Sequence, residues 1–363
     1  MSKPQITSEI KPRPRVAAMP EYHPPLGNRD HLRLDFNENT LACSPQVKAV
    51  LDNISATDLT RYPERGPVEA LVAEHLGLAA DQVILTNGVD EAIHVLCQAF
   101  LDVDDELLLP VPTYTMYEIY ASSTDARLVK VQADADFKFP FEKLLAAITP
   151  KTKLIAIANP NSPTGSIATR EQILAIANAA PNALVLVDEA YFHFYGETVM
   201  DLVGKVPNLI VARTFSKAYG LASLRIGLLA GNAAHLRWIR RVLSPYSVNM
   251  IALTCLTAAI RDQSYLDWYV DEVTQARVEF LAGLTRIGLQ YWPTEANFVL
   301  VNIGGAHKQF VADLLGEGIL VRDRSADPGC DGCVRITIGT RDQMRIALDV
   351  IERSMTGISM TRI

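Results

Sequence analysis

Three segments place residues capable of chemistry at the ends of apolar runs. Ile210-Val211-Ala212 leads into Arg213-Thr214-Phe215-Ser216-Lys217. An amine just beyond a buried strand must be desolvated or paired, and desolvation lowers its pKa toward use as a nucleophile. Taken alone, such a lysine is more often a surface residue. Leu186-Val187 ends in Asp188-Glu189-Ala190-Tyr191, where a buried carboxylate is either a helix cap or the partner of a cation. Val83-Ile84-Leu85 runs into Thr86-Asn87-Gly88-Val89-Asp90-Glu91. A glycine turn opening a helix near Ala92 offers free N–H groups to an anion, typically a phosphate, although Asn-Gly and Asp also serve as plain turn and cap residues.

The elements that must position these residues are legible in the apolar pattern. Between residues 83 and 229, short runs at 83–85, 106–109, 128–131, 154–157, 183–187, 209–211 and 226–229 do not alternate with polar residues, which predicts strands buried on both faces. Amphipathic helical stretches between them predict a largely parallel α/β sheet, and ligands of such sheets bind at the carboxyl ends of the strands. After residue 230 the pattern shifts to long helices at about 232–245 and 265–287, strands near 297–302 and 334–338, and a closing helix. The expected division is an N-terminal arm (1–32), a large domain (61–245) and a smaller α+β domain (33–60 with 246–363).

At 363 residues, 49% hydrophobic and 21% charged, the chain is long enough for two domains. Its net charge of −7 offers no general attraction to nucleic acid or an anionic membrane. The N-terminus lacks a signal-peptide core and no stretch supplies the ~18 continuous apolar residues of a membrane span, so the cytoplasm is the expected compartment. Cys330 and Cys333 form a C-x-x-C without a second pair or nearby histidine. A turn entering a strand is expected there, with no metal.

Read in order, Leu34-Asp35-Phe36-Asn37-Glu38-Asn39, Arg61-Tyr62-Pro63, Gly88-Val89-Asp90-Glu91, Pro112-Thr113-Tyr114, Asn159 to Gly165, Asp188-Glu189-Ala190-Tyr191, Ser216-Lys217, Arg225 and Val334-Arg335-Ile336-Thr337 resemble the fold-type I aminotransferases that use pyridoxal 5'-phosphate. Within them the order is similar to that of the histidinol-phosphate aminotransferase family. The resemblance implies that Lys217 carries the cofactor as a Schiff base and moves the proton at the substrate Cα. It implies that Asp188 faces the pyridine nitrogen, Tyr191 bonds the phenolic oxygen and Tyr114 stacks on the ring. The phosphate would take N–H groups from Val89 and Asp90 at the Gly88 turn, the Ser216 hydroxyl and the Arg225 guanidinium. Tyr62 would reach it from the second subunit of a homodimer.

Arg335 is the implied clamp for a substrate carboxylate, and Tyr22 and Arg322, with Arg324 beside it, are the implied choosers of substrate. One position departs from the pattern. Related enzymes usually carry asparagine immediately before Pro-Thr-Gly, bonding the phenolic oxygen, and here Ser162 stands there. Either the neighbouring Asn161 turns in as its substitute, which is the expected arrangement, or Tyr191 carries that contact alone and the cofactor's proton affinity is tuned differently. The implied reaction is transamination between L-histidinol phosphate and 2-oxoglutarate. An aromatic amino-acid aminotransferase or a phosphothreonine-type decarboxylase would share the same cradle. A sensor that binds the cofactor to regulate is the non-enzymatic alternative, and it would ordinarily bring a DNA-binding segment that the acidic chain and short arm do not offer.

Overall fold

The structure is a computed structural model that describes residues 10–361. Among these residues the arm ends in β1 (Leu32–Leu34), and seven strands then build the larger sheet: β2 (Val83–Thr86), β3 (Glu106–Val111), β4 (Arg127–Gln132), β5 (Thr152–Ala158), β6 (Leu184–Asp188), β7 (Leu209–Thr214) and β8 (Gly227–Gly231). Their order is β2-β8-β7-β6-β5-β3-β4. The pairs β7/β6, β6/β5, β5/β3 and β3/β4 are parallel, whereas β8 runs antiparallel to both β2 and β7. Every residue of β6, β7 and β8 is buried. Helices covering both faces remove any need for polar alternation, which is why these strands read as continuous apolar runs.

The second sheet contains β9 (Gln290–Tyr291), β10 (Phe298–Asn302), β11 (Ile319–Asp323) and β12 (Cys333–Thr337) in the order β1-β11-β12-β10-β9. β1 joins β11 in parallel, and the remaining pairs are antiparallel. Helix Gln263–Ile287 is capped by Asp262, whose carboxylate accepts from the Tyr265 N–H, and stops at Gly288 in the left-handed conformation. It packs against the closing helix Arg341–Thr361. No helix among the described residues is long and apolar enough to cross a membrane.

Several elements differ from the sequence reading. A separate helix, Met250–Arg261, is started by Asn249, whose side chain accepts from the Ala252 N–H. β11 is a strand, half-exposed at alternate positions. The arm holds one helical turn, Pro14–Ala17, tethered where Arg13 donates to the Ser123 carbonyl at 2.5 Å and Arg15 to the Ala126 carbonyl at 3.0 Å. The Cys330-to-Cys333 segment is a turn, closed by the Cys333 N–H on the Cys330 carbonyl at 2.8 Å, and it leads directly into β12.

Candidate active site

The carboxyl ends of β2, β6 and β7 bring the three chemical segments together. Asp188 closes β6 and is 5% exposed. Its Oδ2 accepts from the Tyr117 hydroxyl at 2.6 Å and its Oδ1 from the Ala190 N–H at 3.0 Å. Burial pushes this carboxyl up to about 6, and the two hydrogen bonds pull in the opposite direction. A desolvated carboxylate with only two donors is suited to receive a cation. Tyr117, on helix Met116–Ser122, is fully buried and meets Tyr114 edge-on, with 6.1 Å between ring centres. Its hydroxyl is held protonated by burial and by Asp188.

Lys217 lies three residues beyond β7, half-buried. Its Nζ donates to the Phe36 carbonyl at 2.9 Å and lies 6.0 Å from the centre of the Tyr191 ring. The Tyr191 hydroxyl accepts from Asn37 Nδ2 at 2.9 Å, and the ring meets Phe298 edge-on.

The anion cradle is built by close approach. Helix Gly88–Phe100 begins immediately after β2 and carries no side-chain cap, so its first N–H groups are free for a ligand. Gly88 has φ 74°, and a Cβ there would stand 2.6 Å from Arg225 Nη2. A Cβ on Gly227 would stand 2.9 Å from the Val89 nitrogen. Both glycines are therefore needed to press Arg225 and β8 against the helix start. Arg225 itself occupies the left-handed region, φ 51°, a strained position of the kind that collects at binding sites. Its Nη2 bonds Asp90 Oδ2 at 2.9 Å, while Asp90 Oδ1 accepts from the Tyr114 hydroxyl at 2.8 Å. The Ser216 hydroxyl makes no hydrogen bond among the described residues. Free helix N–H groups, a guanidinium and an uncommitted hydroxyl fit a phosphate.

A second cationic cluster comes from the smaller sheet. Arg335 on β12 stands directly across from Arg322 on β11. Like charges at opposed positions are destabilising unless an anion lies between them. Arg335 donates to Ser162 Oγ at 2.9 Å and to the Asp35 carbonyl at 2.6 Å, yet its Nε and Arg322 Nη1 are buried without partners. Burial, followed by the charge of Arg324, lowers Arg335 to about 10. Arg324 is ion-paired with Asp327.

Asn161 meets protein groups at both ends of its amide. Its Nδ2 donates to the Pro112 carbonyl at 2.9 Å and to Thr164 Oγ1 at 2.7 Å, and its Oδ1 accepts from Thr113 at 2.6 Å. Both ends of the amide are engaged by the Pro112–Thr113 segment and Thr164, and the amide that meets Tyr191 belongs to Asn37. Tyr62 is 78% exposed and stacks on Tyr246, with 4.5 Å between ring centres. Tyr22, on the arm, lies close enough to Tyr114 to contribute to the upward shift of that hydroxyl. Tyr117 and Asn37 received no role from the sequence, because their contacts span 71 and 154 residues.

Residues 29–351 match the family model for aminotransferase class I and II. The chain is 33% identical over 313 residues to the histidinol-phosphate aminotransferase of Thermoanaerobacter pseudethanolicus, covering 85% of this chain and 88% of that protein. It is 34% identical over 327 residues to the histidinol-phosphate aminotransferase of a Geobacillus strain, covering 87% and 88% respectively. The fold superposes with a TM-score of 0.87 on the crystal structure of histidinol-phosphate aminotransferase from Sinorhizobium meliloti in complex with pyridoxal-5'-phosphate, at 24% identity and covering 97% and 99% of the two chains.

Proposed function

This chain belongs to the class I and II aminotransferase family, and from that premise we propose that it moves the amino group of L-histidinol phosphate to 2-oxoglutarate, yielding imidazole acetol phosphate and L-glutamate in histidine biosynthesis. It is a pyridoxal-phosphate-dependent aminotransferase. The bound cofactor supplies an electron sink for the pair of electrons left when the donor's Cα loses its proton.

The chain's own residues do the rest. The N–H groups of Val89 and Asp90, the Ser216 hydroxyl and Arg225 hold the phosphate, with Gly88 giving them room. Asp188, ionised at neutral pH, would keep the ring nitrogen protonated by its charge, and Tyr117 keeps that carboxylate in place. Lys217, whose Nζ is held by the Phe36 carbonyl, would carry the proton to and from Cα. Tyr191 serves the phenolic oxygen and Tyr114 covers the ring.

The observation that supports the substrate is the opposed pair Arg322 and Arg335, each with a buried N–H lacking a partner. Such a pair suits a phosphate dianion on the donor and a carboxylate on the acceptor, which use one site in turn. Tyr22, which lies near Tyr114, would add to the choice of substrate. The large domain (61–245) carries the cofactor and the smaller one (33–60 with 246–363) carries the two arginines. A homodimer in the cytoplasm completes the proposal, with Tyr62 reaching the phosphate cradle of the neighbouring subunit.

The test is a single-turnover reaction of the cofactor-loaded protein with a panel of donors, followed by the cofactor's absorbance and by product identification. Histidinol phosphate should react at least about a hundredfold faster than phenylalanine, the scale on which a buried polar site discriminates. A preference for phenylalanine, or release of carbon dioxide from phosphothreonine, would replace this substrate assignment.

A further inference from the structure

The loop after β1 reaches into the site from the smaller sheet and touches three functional groups with three consecutive residues. The Asp35 carbonyl accepts from Arg335, the Phe36 carbonyl from Lys217, and the Asn37 amide donates to Tyr191. Asn37 is 1% exposed and has φ 55°, a left-handed conformation that asparagine tolerates better than most residues.

The direction of the Asn37 amide follows from its neighbours. The Asn37 backbone N–H donates to Thr337 Oγ1 at 3.0 Å, so the hydroxyl's own proton is available for Asn37 Oδ1 at 3.1 Å. With the carbonyl end engaged by Thr337, the NH2 end faces Tyr191 at 2.9 Å. An amide nitrogen donates and does not accept. The Tyr191 oxygen is thus the acceptor in this pair, and its own proton must point elsewhere, into the site.

The position that carries asparagine in similar enzymes is Ser162, whose hydroxyl accepts from Arg335. The Asn161 amide is committed to Pro112, Thr113 and Thr164. The other titratable or charged groups around Tyr191 are Lys217, Arg335, Tyr114 and Tyr117, none of which supplies an amide.

We infer that Asn37 is a positioning residue that fixes the Tyr191 hydroxyl as a donor to the cofactor's phenolic oxygen, and so sets the proton affinity of the cofactor joined to Lys217. This rests on the proposed function and adds to it a residue that substitutes for the missing asparagine. A donated hydrogen bond makes the phenolic oxygen less basic, so losing it raises the pH at which the joined cofactor gives up its proton.

The experiment is a spectrophotometric pH titration of the resting, cofactor-loaded protein without substrate. Asn37→Gly suits the left-handed backbone and removes the amide, and Asn37→Asp keeps the shape while offering Tyr191 an acceptor. Both should raise the apparent pKa, by about one unit or more given the usual strength of hydrogen bonds to charged groups, and Asn37→Asp should raise it further. In a Tyr191→Phe background, Asn37→Gly should leave the titration where Tyr191→Phe alone puts it. An unchanged titration in Asn37→Gly, or an equal shift with Tyr191 absent, overturns the inference while leaving the aminotransferase reading intact. A protein that takes up no pyridoxal phosphate overturns both.

Discussion

Replacing Asp188 with asparagine in the cofactor-free protein isolates the cost of burying this carboxylate. The folded state holds the carboxyl's proton up to about 6, against 3.8 for a free aspartate. Between those values the folded chain binds more protons than the unfolded chain, so the contribution of Asp188 to stability falls as pH rises. At 1.36 kcal/mol per unit, the fall amounts to about 3 kcal/mol and is complete near pH 7. An asparagine amide cannot ionise and escapes it. Relative to wild type, cofactor-free Asp188→Asn should therefore gain about 2 kcal/mol of this between pH 4 and pH 7, read from urea unfolding at several pH values. The imidazole of His193, which burial pushes down to about 3, titrates in both proteins and cancels in the difference. Loading wild type with cofactor should abolish the penalty, because a cation then faces the carboxylate. A stability difference that does not change with pH would mean that Asp188 is an ordinary cap and that its burial carries no charge for the cofactor.

Tyr117→Phe keeps the buried ring and its edge contact with Tyr114 but removes the donor to Asp188. The Asp188 titration of the cofactor-free protein, followed by carboxyl NMR, should rise by a further one to two units or so; an unmoved resonance would show that the bond is idle. Arg322→Ala should slow the reaction of histidinol phosphate by at least about tenfold while affecting a donor without phosphate much less. Equal losses for both donors would remove Arg322 from phosphate recognition. Lys217→Ala and Tyr62→Ala proteins, unfolded together and refolded as a mixture, should regain activity at about a quarter of all sites, by the counting of a two-fold dimer. Verified mixed dimers without activity would show that Tyr62 does not act across the interface.

The strands of the larger sheet were legible because they are covered on both faces, so each leaves a short unbroken apolar run flanked by polar turns. Asp188 and Lys217 were legible for the same reason: polar residues stand out at the ends of such runs. β1 and β11 were not, since they have only three and five residues and are partly exposed. Helix Met250–Arg261 is not legible because its mixture of apolar and small residues lacks a clear polar stripe. The direction of Asn161 is not legible in the sequence, because an asparagine's direction depends on which donors and acceptors surround it. Here Pro112 and Thr113, nearly fifty residues earlier in the chain, capture both ends of the amide. Tyr117 had one local signal, its place three residues after Tyr114 on a short helix, but only the fold shows which carboxylate its hydroxyl meets.

Every role assigned in the site depends on Lys217 being the residue that carries the cofactor beside Asp188, Tyr191 and the Gly88 cradle. Borohydride reduction of the purified, cofactor-loaded protein, followed by peptide mapping, tests this directly. The predicted result is loss of the visible absorbance with one pyridoxyl group per chain, attached to Lys217, and no such group in Lys217→Ala. A pyridoxyl group on another lysine, or a protein that acquires none, would contradict the site described above.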